Sequence, residues 1–293
     1  MSPATRATAE PEPEPGLLLR LAGPLQSWGE HSHFNDRDTA RFPTRSGITG
    51  LLAAAMGRRR GEPIDDLTRL SVTVRADRPG VLLRDLHTVG GGLPASQTVT
   101  TAEGKKRRGD TGTLLSHRAY LADAVFTVAL TSTPAARDPR DAALLTECAE
   151  ALRHPHWPPS LGRRSCPPEG PVLLGESDDA LRHLVHLPLA AEAPGRSDLI
   201  GVEFFSDQRL DRLPVPDDLT TPDSYDAAHP TSQVNDEPLT FDPRRRSYRA
   251  RPLYRRSLLL PASQYAGLGV PYLRKLDEYL AAHLNRRPEG SSR

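Results

Sequence analysis

Cysteine is scarce. Only Cys148 and Cys166 occur in 293 residues, which excludes a disulfide-stapled scaffold, and their spacing is not that of a CxxC metal or redox pair. Long apolar stretches are missing too: the longest, Gly47 to Gly57, runs 11 residues, against the roughly 20 that span a bilayer. The opening MSPATRATAEPEPEPG lacks the charged-then-apolar pattern of a secretory leader, so a reducing cytoplasm is the expected compartment. Net charge is close to zero, 38 basic against 37 acidic residues, and this argues against whole-molecule attraction to a polyanion. Lysine is nearly absent, occurring only as Lys105, Lys106 and Lys275. Arginine therefore carries the positive charge; its planar fork suits phosphates and base edges, although GC-rich coding also inflates it. There is no P-loop, no G-x-G-x-x-G after a strand and no G-x-S-x-G elbow. His31 with His33, and His154 with His156, lack further ligands at metal spacing, so neither a metal nor a cofactor is expected.

What is plentiful is proline and glycine, 29 and 22 residues, which puts much of the chain in loops around a modest core. Residues 1–16 alternate Pro and Glu and read as a disordered tail. Leu17 to Leu21 reads as a buried strand, closed by Gly23 and Pro24. A helix follows Pro43, capped by Thr44 or Ser46, with Ile48, Leu51, Leu52, Ala55 and Met56 on one face and Gly57 as its stop. Ser71 to Arg75 and Val81 to Val89 read as strands. Residues 90–116 then lose all periodicity, and an excursion of that length inside a domain is usually functional or disordered. Strand character returns at Ala124 to Thr131, a second helix opens at Pro139 and Asp141 with Leu145, Cys148, Ala149 and Leu152 on one face, and Val172 to Gly175 is a short strand. This order is the split βαβ pattern of an α+β, ferredoxin-like domain over residues 17–175, the architecture of RNA-recognition sheets. Residues 176–262 read as a smaller β-rich region. It holds an acidic stretch, Asp217 to Asp242, with seven acids and no Arg or Lys, and a basic run, Arg244 to Arg256, with seven arginines. Residues 263–293 end in an amphipathic helix behind Pro271, with Leu273, Leu276, Tyr279, Leu280 and Leu284 on one face.

Several motifs admit two readings. Arg41 and Arg45 flank a helix N-terminus that would favour a phosphate, or they pair with Asp36 and Asp38 on the surface. The Gly162, Arg163, Arg164, Ser165 loop could grip a nucleic-acid backbone or be an ordinary charged loop. Lys105, Lys106, Arg107 and Arg108 could follow a polyanion or form a solvated tip. In the basic run, Tyr248 and Tyr254 could stack on bases, or the acidic stretch could neutralise the arginines. Trp28 could stack a base or, more in keeping with its type, pack the interior. His87 and His117 flank the excursion and are the candidates for metal-independent ribonuclease chemistry.

The blocks LRLAGPLQSWGE, RFPTRSGITGLLAAAMG, LRDLHTV, SHRAYLADAVFTVAL and LGRRSCPP, in this order, resemble the Cas-five family in the CasD form of type I-E CRISPR Cascade complexes. The resemblance implies a non-catalytic RNA-binding subunit in antiviral defence that clamps the 5′ handle of the CRISPR RNA and nucleates assembly. It implies palm contacts at Gln26, Ser27, Trp28, Arg41, Arg45, Ser46, Arg163, Arg164 and Ser165, and a β-hairpin thumb from Gly90 to Ser116 carrying Lys105, Lys106, Arg107 and Arg108. The implied partners are the CRISPR RNA, the CasC backbone subunits, the CasA large subunit and, through the complex, target DNA. In type I-C systems the Cas-five protein itself cuts precursor RNA, so a metal-independent endoribonuclease is the alternative.

Overall fold

Strand β1 (Gly16–Ala22, GLLLRLA) is buried along its whole length. In the computed structural model, which describes residues 12–30, 32–33, 35–91, 94–98, 100, 104–106, 113–132, 139–192, 199–214 and 229–284, this strand lies inside a seven-stranded sheet. Leu17, Leu19 and Leu21 face one core and Leu18 and Ala22 a second, which is why the segment is continuously apolar instead of alternating. Arg20 is the exception. Its guanidinium leaves the strand to meet Glu169 at 2.6 Å, over the ring of Tyr272.

The expected tail ends earlier than Gly16. Residues 1–11 lie outside the described residues, but the Glu14 carbonyl accepts the Ala180 N–H at 2.8 Å and its carboxylate meets Arg212 at 3.1 Å.

Three short strands follow, β2 (Leu25–Gln26), β3 (Ser32–His33) and β4 (Asp36–Arg37), and then helix α1 (Arg45–Ala55). Thr44 caps α1 by accepting the Gly47 N–H at 3.3 Å, and Gly57, at φ +76°, turns the chain out of it. The next strands are β5 (Leu70–Arg78), β6 (Val81–Val89), β7 (Leu114–Ala122) and β8 (Val125–Ser132). Helix α2 (Pro139–Arg153) and β9 (Leu173–Ser177) complete the first half. The central strands run β5-β8-β1-β9, every neighbouring pair antiparallel, with α1 joining β1 to β5 and α2 joining β8 to β9. Both helices pack on one face: Ile48, Leu51 and Leu52 meet Leu144, Leu145 and Cys148 in the core that holds Leu17, Leu19 and Leu21.

The second half adds α3 (Ala180–His186), β10 (Leu199–Ser206), β11 (Ser232–Thr240), β12 (Ser247–Pro261) and α4 (Gly269–His283). The β-rich region 176–262 extends the same sheet, since β10 pairs with β5 and carries β12 and β11 outward. Helix α3 stood in the sequence only as short apolar pieces. Its Leu181, Leu184 and Val185, with Tyr272 and Leu276 of α4, cover the sheet face that includes Leu18, Ala22, Val125 and Ala129. RNA-recognition sheets leave that face open for bases; here it is closed, a correction to the RNA-recognition-type expectation. Helix α4 keeps most of the face read from its sequence, with Leu276, Tyr279, Leu280 and Leu284 on the core, but Tyr272 takes the inward place expected of Leu273. Tyr272 and Leu276 are its buried residues, while Leu273 is half-exposed.

Arg75 ties these layers together from a fully buried position. It pairs with Asp77 at 2.7 Å and donates to the Leu184 and Leu187 carbonyls at 2.7 Å each, so a guanidinium from β5 caps the C-terminus of α3.

Candidate nucleic-acid interface

A second sheet forms the ground for the site. β7 lies at its centre, paired with β6 along nine positions, with β2 at Leu25↔Ala122 and Gln26↔Leu121, and in parallel with β4 at Asp36↔His117. The arm expected at residues 90–116 therefore starts earlier and ends later, with β6 and β7 as its two strands. A strand of nine residues is ~30 Å long. β6 has no other strand partner among the described residues, and it is open on both faces: Val81 and Leu83 are exposed on one, Leu82 and Leu86 on the other. Leu115 of β7 is exposed too. At the tip, Lys105 is exposed, and Lys106 bridges to Thr100 and donates to the Thr98 carbonyl at 2.9 Å. Arg107 and Arg108 lie outside the described residues.

His87 and His117 do not meet. His87 is paired across the ladder with Ser116, and His117 with Leu86, so the two imidazoles project from opposite faces of the ribbon. The near neighbour of His87 is Asp85, with Nδ1 to Oδ2 at 3.0 Å.

Gln26, Ser27, Trp28 and Arg45 correct the sequence reading. The Gln26 amide is fully buried and donates to the Leu21 and Ala124 carbonyls at 3.0 and 2.7 Å, stitching the end of β1 to the start of β8. Its oxygen accepts the indole N–H of Trp28 at 2.9 Å. The Trp28 ring is wholly enclosed beneath the first turn of α1, so close that a Cβ on Gly47 would stand 2.6 Å from it. Ser27 is buried and fixed by its N–H to the Leu161 carbonyl at 3.0 Å.

Arg45 is buried in protein contacts. Its guanidinium pairs with Asp207 and donates to the Thr68 carbonyl and, at 2.8 Å, the Leu70 carbonyl. Asp207 also accepts from the Ser71 hydroxyl at 2.7 Å. Burial, with Arg251 close by, pulls the Arg45 guanidinium down to about 10, still charged at neutral pH. The anion at the α1 N-terminus is Asp236, which accepts the Arg45 backbone N–H. The physics that favoured a phosphate here is satisfied by a carboxylate of the same chain.

Arg163 is engaged as well. Gly162, at φ +88°, passes so near Ser27 that a Cβ would sit 1.7 Å from its carbonyl oxygen, and only glycine fits. This tight passage delivers Arg163 onto the ring of Tyr120, 4.7 Å from its centroid, where it donates to the carbonyls of Ala119 at 2.8 Å, Arg37 at 3.0 Å and Asp38 at 3.1 Å. One guanidinium thus clamps the loop to β4 and β7.

The clamp leaves a cationic rim in solvent. Arg164 and Ser165 are exposed beside it, Arg37 is exposed on β4, and Arg41 is exposed in the segment leading to α1, with Ser46 half-buried at the helix start. Arg37 was missed in the sequence because its only signal is its pairing with β7, which no local pattern announces.

Comparison with known proteins agrees with this architecture. A family model described as CRISPR-associated protein (Cas_Cas5) matches residues 16–254. The Cascade subunit CasD of Escherichia coli (strain K12) is 38% identical over 170 residues, covering 54% of this chain and 70% of that protein. A solved chain described as a CRISPR RNA-guided surveillance complex superposes with a TM-score of 0.72 at 40% identity, covering 91% of this chain and 99% of that one. Another, described as a Cas protein, superposes at 0.52 with 29% identity, covering 87% and 99%. With the match running from the first residue of β1 well into β12, the chain belongs to the CRISPR-associated Cas5 family.

Proposed function

We propose that this chain is a non-catalytic, RNA-holding subunit of a type I-E CRISPR surveillance complex, gripping the 5′ handle of the CRISPR RNA and nucleating assembly of the backbone. The observation that carries the reading is the β6–β7 arm. β6 is an edge strand held by β7 alone, and an edge with leucines exposed on both faces calls for material on both sides. Lys105 and Lys106 at its tip suit a phosphate backbone, and the leucine faces suit neighbouring subunits. The rim of Arg37, Arg41, Arg164 and Ser165 supplies the handle contacts, with Arg163 and Arg45 as the residues that hold this rim in place. The strand order β5-β8-β1-β9 with two helices on one face supports a ferredoxin-like body.

The direct partners in this reading are the CRISPR RNA and the CasC backbone subunits. The CasA subunit docks beside them, target DNA is reached through the complex, and the compartment is the cytoplasm. The split of His87 and His117 across two faces favours holding over cutting, because a metal-independent nuclease needs an acid and a base converging on one ribose 2′-OH. The test is incubation with labelled repeat RNA in EDTA, followed for binding across a salt series and for cleavage on a denaturing gel. Salt-sensitive binding without a cut is expected; a single specific cut overturns the reading and makes the chain a processing nuclease.

A further inference from the structure

Of the seven arginines from Arg244 to Arg256, the four on strand β12 are each held by an acid or a carbonyl. Arg249 pairs with Glu237 at 2.8 Å, Arg251 with Asp236 at 2.6 Å, Arg255 with Glu203, and Arg256 donates to the Leu210 carbonyl at 2.6 Å. The acidic segment therefore neutralises Arg249 and Arg251 on the strand, while in the turn it offers Asp242 alone, against three arginines. Arg244, Arg245 and Arg246 form the exposed tip of the β11–β12 hairpin.

That tip meets a second basic cluster from a remote part of the chain. The hairpin lies along α1: Asp236 sits at its N-terminus, Phe241 beside Gly50, and the Asp242 carboxylate 3.9 Å from where a Cβ on Gly61 would be. Just before Gly61 stand Arg59 and Arg60, both exposed, while Arg58 is turned inward to Asp66 at 2.6 Å. Five exposed arginines are gathered there. The carboxylates among them are Asp242, Glu62 and Asp65. Asp242 is engaged in the turn, accepting the Arg244 N–H at 2.8 Å and lying 3.6 Å from Arg245.

We propose that this two-part arginine patch is a second contact for the phosphodiester backbone of a nucleic-acid strand, separate from the rim at Arg41 and Arg164. Arg246 lies over the rings of Phe241 and Tyr248, 5.8 and 5.5 Å to their centroids, which fixes the guanidinium plane in advance. No large hydrophobic residue is exposed in residues 57–66 or 241–248, so the patch lacks the apolar centre of a protein-docking surface. The 11 residues of α1 span ~16 Å, placing the patch about one helix length from the loop at Arg41. The assignment stands on this geometry alone and does not require the handle-holding reading.

The experiment uses the full chain with fluorescent single-stranded RNA, single-stranded DNA and duplex DNA probes of a sequence unrelated to the repeat. Replacing Arg59, Arg60, Arg244 and Arg245 by alanine is expected to weaken binding at least about tenfold near 0.1 M salt and to flatten the log K against log salt slope by about 3 on single strands. Replacing the same four by lysine should retain the slope. The probe most affected identifies the source of the backbone, guide or target. Arg59→Ala with Arg60→Ala, which leaves the hairpin's own contacts intact, should give about half the flattening and decides the matter if the fourfold variant melts early. Unchanged affinity and slope on all three probes would overturn the proposal, as would a loss confined to binding of an acidic protein. Repeat-RNA affinity of an Arg41→Ala, Arg164→Ala variant, measured in parallel, reports on the handle reading independently.

Discussion

The Asp236 carboxylate closes the N-terminus of α1: one oxygen accepts the Arg45 backbone N–H at 2.8 Å, and both accept from Arg251, at 2.6 and 3.0 Å. A buried acid thereby holds a helix end and a β12 arginine at once, with Arg45 and its partner Asp207 alongside. Removing its charge leaves the buried Arg251 without its counter-charge and weakens the cap on α1. Asp236→Asn is expected to cost about 3–5 kcal/mol in urea unfolding, and Asp236→Asn combined with Arg251→Met to recover part of the loss. Equal stability of the wild type and Asp236→Asn would contradict this account.

Gly162 predicts a steric outcome. Alanine there must hold a positive φ and push its Cβ into the Ser27 carbonyl, so Gly162→Ala should destabilise by about 2 kcal/mol or more, read as a lowered urea midpoint.

Adjacent arginines should behave oppositely. Arg163→Ala breaks three carbonyl contacts and a ring stack, so its first effect is a lower melting temperature. Arg164→Ala changes an exposed side chain and should leave melting unchanged while flattening the salt dependence of repeat-RNA binding by about 0.7. A fall in melting temperature for Arg164→Ala would refute the distinction.

The junction of α3 and α4 is expected to weaken in acid. His183 Nδ1 lies 2.8 Å from the Tyr279 hydroxyl, and burial, with His283 nearby, lowers its pKa from the ordinary 6.5. A histidine kept neutral by folding binds fewer protons than its unfolded counterpart. Its contribution is complete above 6.5 and is lost as pH falls below that value through the lower folded one. Asp179 opposes this shift, while His186 and Arg182 add to it. Melting curves across mildly acidic pH should fall less steeply for His183→Gln than for the wild type.

Leu82→Ser with Leu86→Ser should impair co-purification with backbone subunits while leaving repeat-RNA affinity within about twofold, because both side chains are already in solvent. Undiminished co-purification would remove the arm's leucines from the assembly surface.

Features set by local chemistry were readable in advance. Thr44, the Ile48–Leu52 face and Gly57 define α1 within a dozen neighbouring residues, and the apolar run of β1 needs only its own side chains. The role of Arg45 was not readable, because its helix end is answered by Asp236, 191 residues downstream. β7 escaped notice because its two faces meet different surroundings, the consecutive Tyr120 and Leu121 both buried and Ala119 before them not, so no alternation survives. α3, only seven residues long, is too short for a helical period to declare itself. Among the candidate site residues, type and position singled out the right loops, but burial reversed the parts. The arginines beside glycine and the helix cap were drawn inward as clamps, and their neighbours Arg41 and Arg164 were left to face solvent.

The guanidinium of Arg75 has a consequence for the order in which the chain organises. α3 obtains its C-terminal cap from a strand made more than a hundred residues earlier, and that strand has its final position only once β8 has paired with it. A helix of this length has little persistence by itself, so α3 is expected to settle late, onto strands already paired. Arg75→Met should then quicken unfolding far more than it slows folding, the kinetic signature of a fastening made after the rate-limiting step.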